Sequence, residues 1–146
     1  MAEPLAFPSQ HWCTAAAEAL HGDAGVRAAT LAFGAVTAGI VVQQGQGLAR
    51  DFCVLARIAP GKPPELSFPD DEDELEELEP DYLAWAPVEL CRELLQDALA
   101  GRPGDPLKLV FARRIRLQGD LQRLVRAAGK HAGVGIEALR AVPTKF

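Results

Sequence analysis

The chain has 146 residues, 49% of them hydrophobic and 24% charged, with a formal net charge of −5. That length predicts one domain, residues 1–146, with enough chain to bury a core. The balance is that of a globular protein rather than a fibrous or disordered one, and the negative sign argues against nucleic acid as a partner. The charge is uneven: eight of the ten residues from Asp70 to Glu79 are acidic, which leaves the remainder mildly basic.

Ser9 is placed to cap a helix running to about Leu20, with Trp12, Ala15, Ala16, Ala19 and Leu20 at helical spacing. His21-Gly22-Asp23 interrupts it, and Asp23 caps a second helix through Ala29 or a few residues beyond. Gly34 is a turn. Ala35 to Gln43, rich in β-branched residues, reads as a first strand. Gln44 to Gly47 is a turn, Phe52 to Ile58 a second strand, Pro60 to Pro64 a loop and Glu65 to Phe68 a short third strand. The stretch 69–80 reads as an acidic flexible connector, because charge blocks favour solvation, with one amphipathic turn available from the spacing of Leu75 and Leu78.

Tyr82 to Ala86 is a fourth strand, and Pro87 opens a helix that Gly101 ends. Asp105 as cap and Pro106 at the first helical position start a short helix. Leu107 to Phe111 is apolar at nearly every position, which calls for cover on several sides. The pattern then changes period: Ile115 and Leu117 face one way and Arg114, Arg116 and Gln118 the other, a half-buried fifth strand. Gly119 ends it, and Asp120 caps a helix that begins Leu121, Leu124, Val125 and weakens past Ala132. Ile136 to Val142 is a separate, looser helix, expected to act as a gate. This order predicts an α/β two-layer (α+β) domain: a five-stranded, mainly antiparallel sheet with helices over one face and the other face more exposed.

Candidate chemistry is sparse. Ser9 and Ser67 lie outside any G-x-S-x-G turn. His11, His21 and His131 are scattered, and a solvated role outweighs a catalytic one because a base needs an orienting partner. Gly45-Gln46-Gly47 lacks the third glycine of a dinucleotide loop, and Gly61-Lys62 lacks the Ser or Thr of a phosphate loop. Cys13, Cys53 and Cys91 are too far apart for a zinc motif and odd in number, so three reduced thiols of a cytoplasmic protein are expected. The acidic block lacks the order of a calcium loop and reads as a solvated face or docking segment. No signal peptide or membrane span is visible in the chain as given. Among the basic residues, Arg113, Arg114, Arg116, Arg123 and Arg126 form either an ordinary solvated stripe, the more economical reading, or contacts to anionic lipid headgroups or acyl-coenzyme A phosphates. Neither an enzyme nor a cofactor is predicted.

Three stretches together resemble the sterol carrier protein-2 family in its stand-alone bacterial form. Phe7-Pro8-Ser9 with His11-Trp12 and an Ala-rich helix resembles its opening. Asp81 to Glu89, leading into Leu90, Leu94 and Leu95, resembles its middle strand and helix. Asp105-Pro106 through Phe111-Ala112-Arg113-Arg114 to Gly119-Asp120 resembles its C-terminal half. The acidic stretch at Asp70 to Glu79 and an Ala/Gly-rich first strand depart from the family pattern. The resemblance implies an apolar tunnel between sheet and helices that binds or transfers a fatty acyl chain, sterol or other polycyclic or isoprenoid lipid without catalysis.

On that basis the expected ligand-binding residues are Phe33, Trp85, Leu90, Leu94, Leu109, Val110, Phe111, Leu121, Leu124, Val125, Ile136 and Leu139. For each of them a place in a filled core is the competing reading. A hydrophobic small molecule is the expected partner, with transient contact to a membrane surface or a protein. The alternative is an accessory or scaffold protein of lipid or isoprenoid-quinone metabolism that docks a protein partner through the acidic segment.

Overall fold

The computed structural model describes residues 3–131 and 133–146. Its elements are β1 (Leu5–Ala6), α1 (Gln10–His21), α2 (Ala24–Phe33), β2 (Val36–Gln43), β3 (Phe52–Ile58), β4 (Glu65–Ser67), α3 (Glu72–Glu77), β5 (Tyr82–Pro87), α4 (Val88–Leu99), α5 (Pro106–Phe111), β6 (Arg116–Gln118), α6 (Leu121–His131), α7 (Ile136–Arg140) and β7 (Thr144–Lys145). The helix starts lie where short polar side chains satisfy orphan backbone N–H groups. Ser9 accepts from the N–H of Trp12 at 3.1 Å, Asp23 from Val26 at 3.0 Å, Asp105 from Leu107 at 3.0 Å and Asp120 from Arg123 at 3.2 Å.

Five strands form a sheet in the order β4-β3-β2-β5-β6. Every pairing is antiparallel except the central one between β2 and β5. The fold is therefore α+β with a mainly antiparallel sheet. In the register, Gly39 lies opposite Leu55 and Leu83, and Val41 opposite Cys53 and Trp85, which puts all six on one face.

That face carries the tightest packing, and its cover is the acidic segment. Residues 69–80 are not a flexible connector. Asp71 accepts from the N–H of Glu74 at 2.8 Å and caps α3, whose first turn holds Glu72, Asp73 and Glu74, the sign that a helix N-terminus favours. Leu75 projects from α3 into a cluster with Val41, Cys53, Leu55, Leu83 and Trp85 and is completely buried. Gly39 makes the approach possible: a Cβ there would lie 3.0 Å from both Leu75 Cδ1 and Leu83 Cδ1. Trp85 Nε1 donates to Glu72 Oε1 at 2.8 Å, which satisfies the indole of a nearly buried ring. A count of charges favours disorder in this block, but one leucine at the correct helical phase over an apolar sheet outweighs it. Leu78, by contrast, is exposed.

The remaining helices serve the opposite face, which bears Val36, Ala38 and Ile40 of β2, Ala56 and Ile58 of β3, and Tyr82 and Ala84 of β5. This layer is unevenly filled: Val42, Val54, Tyr82 and Ala86 of the sheet and Val88, Leu90 and Leu95 of α4 are buried. Neither α2, α5 nor α7 contains a buried residue. Ile40, on the central strand, is 42% exposed.

Two further features differ from expectation. The chain ends meet: β1 pairs in parallel with β7, and Trp12 Nε1 donates to Thr144 Oγ1 at 2.9 Å. The C-terminal tail is thus tied to the start of the chain and to the first helix. The fifth strand is also shorter than its alternation suggests. The N–H groups of Arg114 and Ile115 both donate to the carbonyl of Leu109, closing a reversal in which Arg113 takes a left-handed φ of 62°, so pairing begins only at Arg116.

Candidate functional site: an apolar cleft between helix and sheet

At the end of the sheet where β2 begins and β3 ends, α2 and α6 contact each other above Val36 and Ile58 and leave an opening beneath them. The cleft between them holds about 320 Å³ and is lined by Ala29, Thr30, Phe33, Gly34, Val36, Ile58, Leu124 and Ala127. The only side-chain polar atom in that set is the Thr30 hydroxyl, and it donates back to the carbonyl of Val26 at 2.9 Å. The walls follow from local structure. α2 ends at Phe33 because Gly34 adopts a φ of 90°, which turns the chain into β2. Asp120 fixes the start of α6 and so the height of Leu124. Strand alternation places Ala38, Ile40 and Val42 beyond Val36 on the same face, an apolar row in which Ile40 is exposed and Val42 buried.

One cation stands at the rim. The Arg123 guanidinium lies 4.2 Å over the Phe33 ring and donates from Nη2 to the Phe33 carbonyl at 2.6 Å. The Tyr82 ring is 6.2 Å from that of Phe33, and the Tyr82 hydroxyl donates to the carbonyl of Asp120 at 2.8 Å, which ties α6 to the sheet. Burial, with Asp120 next in effect, raises the Tyr82 pKa. A second cleft of about 430 Å³ lies along the same helical layer, between Thr14, Ala17, Glu18 and His21 of α1 and Pro63, Pro64, Leu66 and Phe68 around β4. Glu18 and His21 make that wall more polar.

Of the residues singled out in the sequence, Phe33 and Leu124 line the α2–α6 cleft. Trp85 does not approach it: it is 4% exposed on the other sheet face, under α3, with the Arg116 guanidinium 4.3 Å from its ring centre. One step in strand register decides the face, and the fourth strand is apolar on both. Leu90 is buried in α4, and Leu94, half-buried, backs the loop at Gly104. Leu109 and Val110 are half-buried, but Phe111 is 65% exposed, so α5 lacks the cover its composition calls for. Val125 is 46% exposed because it follows Leu124 by 100° around the helix. Leu121, Ile136 and Leu139 are half-buried, and none of them lines the cleft.

Val36, Ile58, Ala29 and Ala127 are lining residues that pattern reading passed over, whereas Arg123 belongs to the basic set named above as a candidate headgroup contact. The alternation of Val36 with Ile40 was the available signal, but alternation alone does not say whether a helix fills the space above. The thiols are poorly suited to attack: burial pushes Cys13 up to about 11, and burial followed by the charges of Asp51, Asp71 and Glu72 pushes Cys53 up to about 11. Among the described residues no group of three His, Cys, Asp or Glu side chains is placed to hold a metal ion, and no helix is long and apolar enough to cross a membrane.

No protein-family model and no curated protein matches the sequence. Solved structures do match the fold. A conserved hypothetical protein of Thermus thermophilus, given as a candidate sterol carrier protein, superposes with a TM-score of 0.67 at 14% identity, covering 99% of this chain and 94% of its own. A crystal structure of sterol carrier protein 2 gives 0.62 at 16% identity over 92% of this chain and 97% of its own. The sterol carrier protein domain 2 of Helicoverpa armigera gives 0.53 at 18% over 84% and 87%. A helical layer over a mainly antiparallel sheet with one parallel central pair defines an α+β domain with a cleft between its layers. The fold is that of sterol carrier protein 2.

Proposed function

We propose that this chain binds and carries a hydrophobic small molecule, such as a fatty acyl chain, sterol or isoprenoid lipid, between its sheet and the α2–α6 layer, without covalent chemistry. The observation that carries this reading is the cleft of about 320 Å³ bounded by α2, α6, Val36 and Ile58, whose lining carries one side-chain polar atom, the Thr30 hydroxyl. An apolar chain filling that space leaves water at ~0.8 kcal/mol per methylene. A sixteen-carbon tail thus gathers about 13 kcal/mol, and an association cost of about 5 kcal/mol leaves about 8, a micromolar dissociation constant. The names borne by the proteins of the same fold support the reading.

Titration of delipidated protein with fluorescent acyl and sterol probes tests it, beside Leu124→Trp. The indole should occupy the cleft, leave the protein folded by circular dichroism and weaken probe binding at least tenfold. If no probe binds the wild type and Leu124→Trp is destabilised by ~1–3 kcal/mol, as in an overpacked core, the carrier reading fails. The accessory role of a protein docking through acidic α3 then takes its place.

A further inference from the structure

Two surfaces of this chain set one exposed apolar side chain among charges of a single sign, and the two signs are opposite. On the first, Phe111 ends α5 and is 65% exposed, on a helix that buries none of its residues. Lys108 lies one turn before it and Arg113 two residues beyond, both exposed. Arg114 beside them makes only an open pair with Glu93, 3.9 Å long. On the second surface, Leu78 closes α3 and is 42% exposed beside Glu76, Glu77 and Glu79, all exposed. Among the described residues, Lys108 and Arg113 have no carboxylate within 4.0 Å, and no acid from Asp70 to Glu79 has a cation within that distance.

We infer that a second copy of this chain is the partner of α5: Phe111 of one copy packs on Leu78 of the next, with Lys108 and Arg113 against the acids of its α3. Charge chooses this occupant. A symmetric contact of α5 with itself would set Lys108 and Arg113 against their own counterparts, and like charges oppose it. An anionic membrane suits the α5 cations but repels the acid block of a chain whose net charge is −5. The α3 surface offers the opposite sign and an apolar centre together. It is also held ready: Leu75 anchors α3 to the sheet and Asp71 caps it, so little has to be ordered on docking. Because the two surfaces differ, the contact is head-to-tail. One aromatic ring and a few exposed ion pairs make it transient and salt-sensitive rather than a permanent dimer. Lipid binding plays no part in it.

Sedimentation equilibrium of the full chain across about 0.01–1 mM, the range of transient contacts, tests this. At low salt the weight-average mass should rise above that of the monomer with concentration, and at high salt it should return towards it. Phe111→Ser and Leu78→Ser should each hold the chain at the monomer mass. Two charge reversals, Lys108→Glu/Arg113→Glu and Glu76→Lys/Glu77→Lys, test the pairing itself. The second places cations in the last turn of α3, where a helix end favours them, and circular dichroism should show both variants folded. Each alone should stay monomeric, and an equimolar mixture should associate as the wild type does. A wild type that is monomeric throughout at low salt overturns the inference. Association that Phe111→Ser leaves unchanged belongs to another surface and also overturns it, as does a mixture that fails to associate. If the wild type is monomeric and Phe111→Ser instead abolishes its binding to phosphatidylglycerol vesicles, α5 is a membrane contact and the second copy is ruled out.

Discussion

Leu75 offers the sharpest test of how this chain reaches its fold. It is the one apolar side chain that α3 buries, it is 0% exposed, and its methyls rest where only a glycine at 39 leaves space. Leu75→Ala removes that contact and opens a cavity over Val41, Leu55 and Leu83, because a six-residue helix anchored at its cap cannot follow the shortened side chain down to the sheet. Buried Leu→Ala substitutions cost ~2–5 kcal/mol. A chain of this size has about 7–20 kcal/mol in total. With an m-value of about 2 kcal/mol per molar urea, the midpoint should fall by roughly 1–2.5 M. Urea unfolding followed by the fluorescence of Trp12 and Trp85 and by far-ultraviolet circular dichroism measures this directly. The control is Leu78→Ala, three residues on and 42% exposed, which should change stability by about 0.5 kcal/mol or less. Replacing 70–79 by a Gly/Ser linker should be at least as damaging as Leu75→Ala. If Leu75→Ala behaves like Leu78→Ala, or the linker variant melts like the wild type, the acidic segment is a solvated connector after all and the sheet face needs another cover.

Asp120→Ala should cost about 0.5–2 kcal/mol through loss of the α6 cap, while the Tyr82 hydroxyl, which bonds the backbone carbonyl of residue 120, is retained; probe affinity per folded molecule should stay within a fewfold. Gly39→Val should clash with Leu75 and Leu83 and lower the urea midpoint, an effect that Leu75→Ala in the same chain partly relieves. The thiols give a pH prediction. Cys13 and Cys53 lie at about 11 in the folded protein against 9.0 when unperturbed, so folding favours their neutral form. Their contribution to stability is complete below pH 9 and is lost as pH rises from 9 to 11, because the unfolded chain ionises first. Melting temperature across that window should fall less steeply in Cys13→Ala/Cys53→Ala, and the wild-type thiols should react slowly with disulfide reagents near pH 8 until urea unfolds the chain.

Local chemistry decided the elements. Ser9, Asp23, Asp105 and Asp120 announced four helix starts because capping needs only a short polar side chain and the next three residues. The strand β3, Phe52–Ile58, was legible because β-branched and apolar residues bounded by turn residues leave few alternatives. The matched stretches at both ends and in the middle also carried the fold, since they depend on order along the chain. Tertiary structure alone decided what crosses long separations or depends on a partner surface. The pairing of Leu5 with Thr144 leaves no periodicity in either segment. The burial of Leu75 exists only because Gly39, far away in sequence, leaves a space for it. Trp85 went to the filled face and Ile40 to the open one, since alternation assigns a residue to a face but not a helix to that face. Whether α2 and α6 close over the sheet or stand apart is set by the sum of side-chain volumes between the layers, and that sum is a property of the assembled fold rather than of any segment.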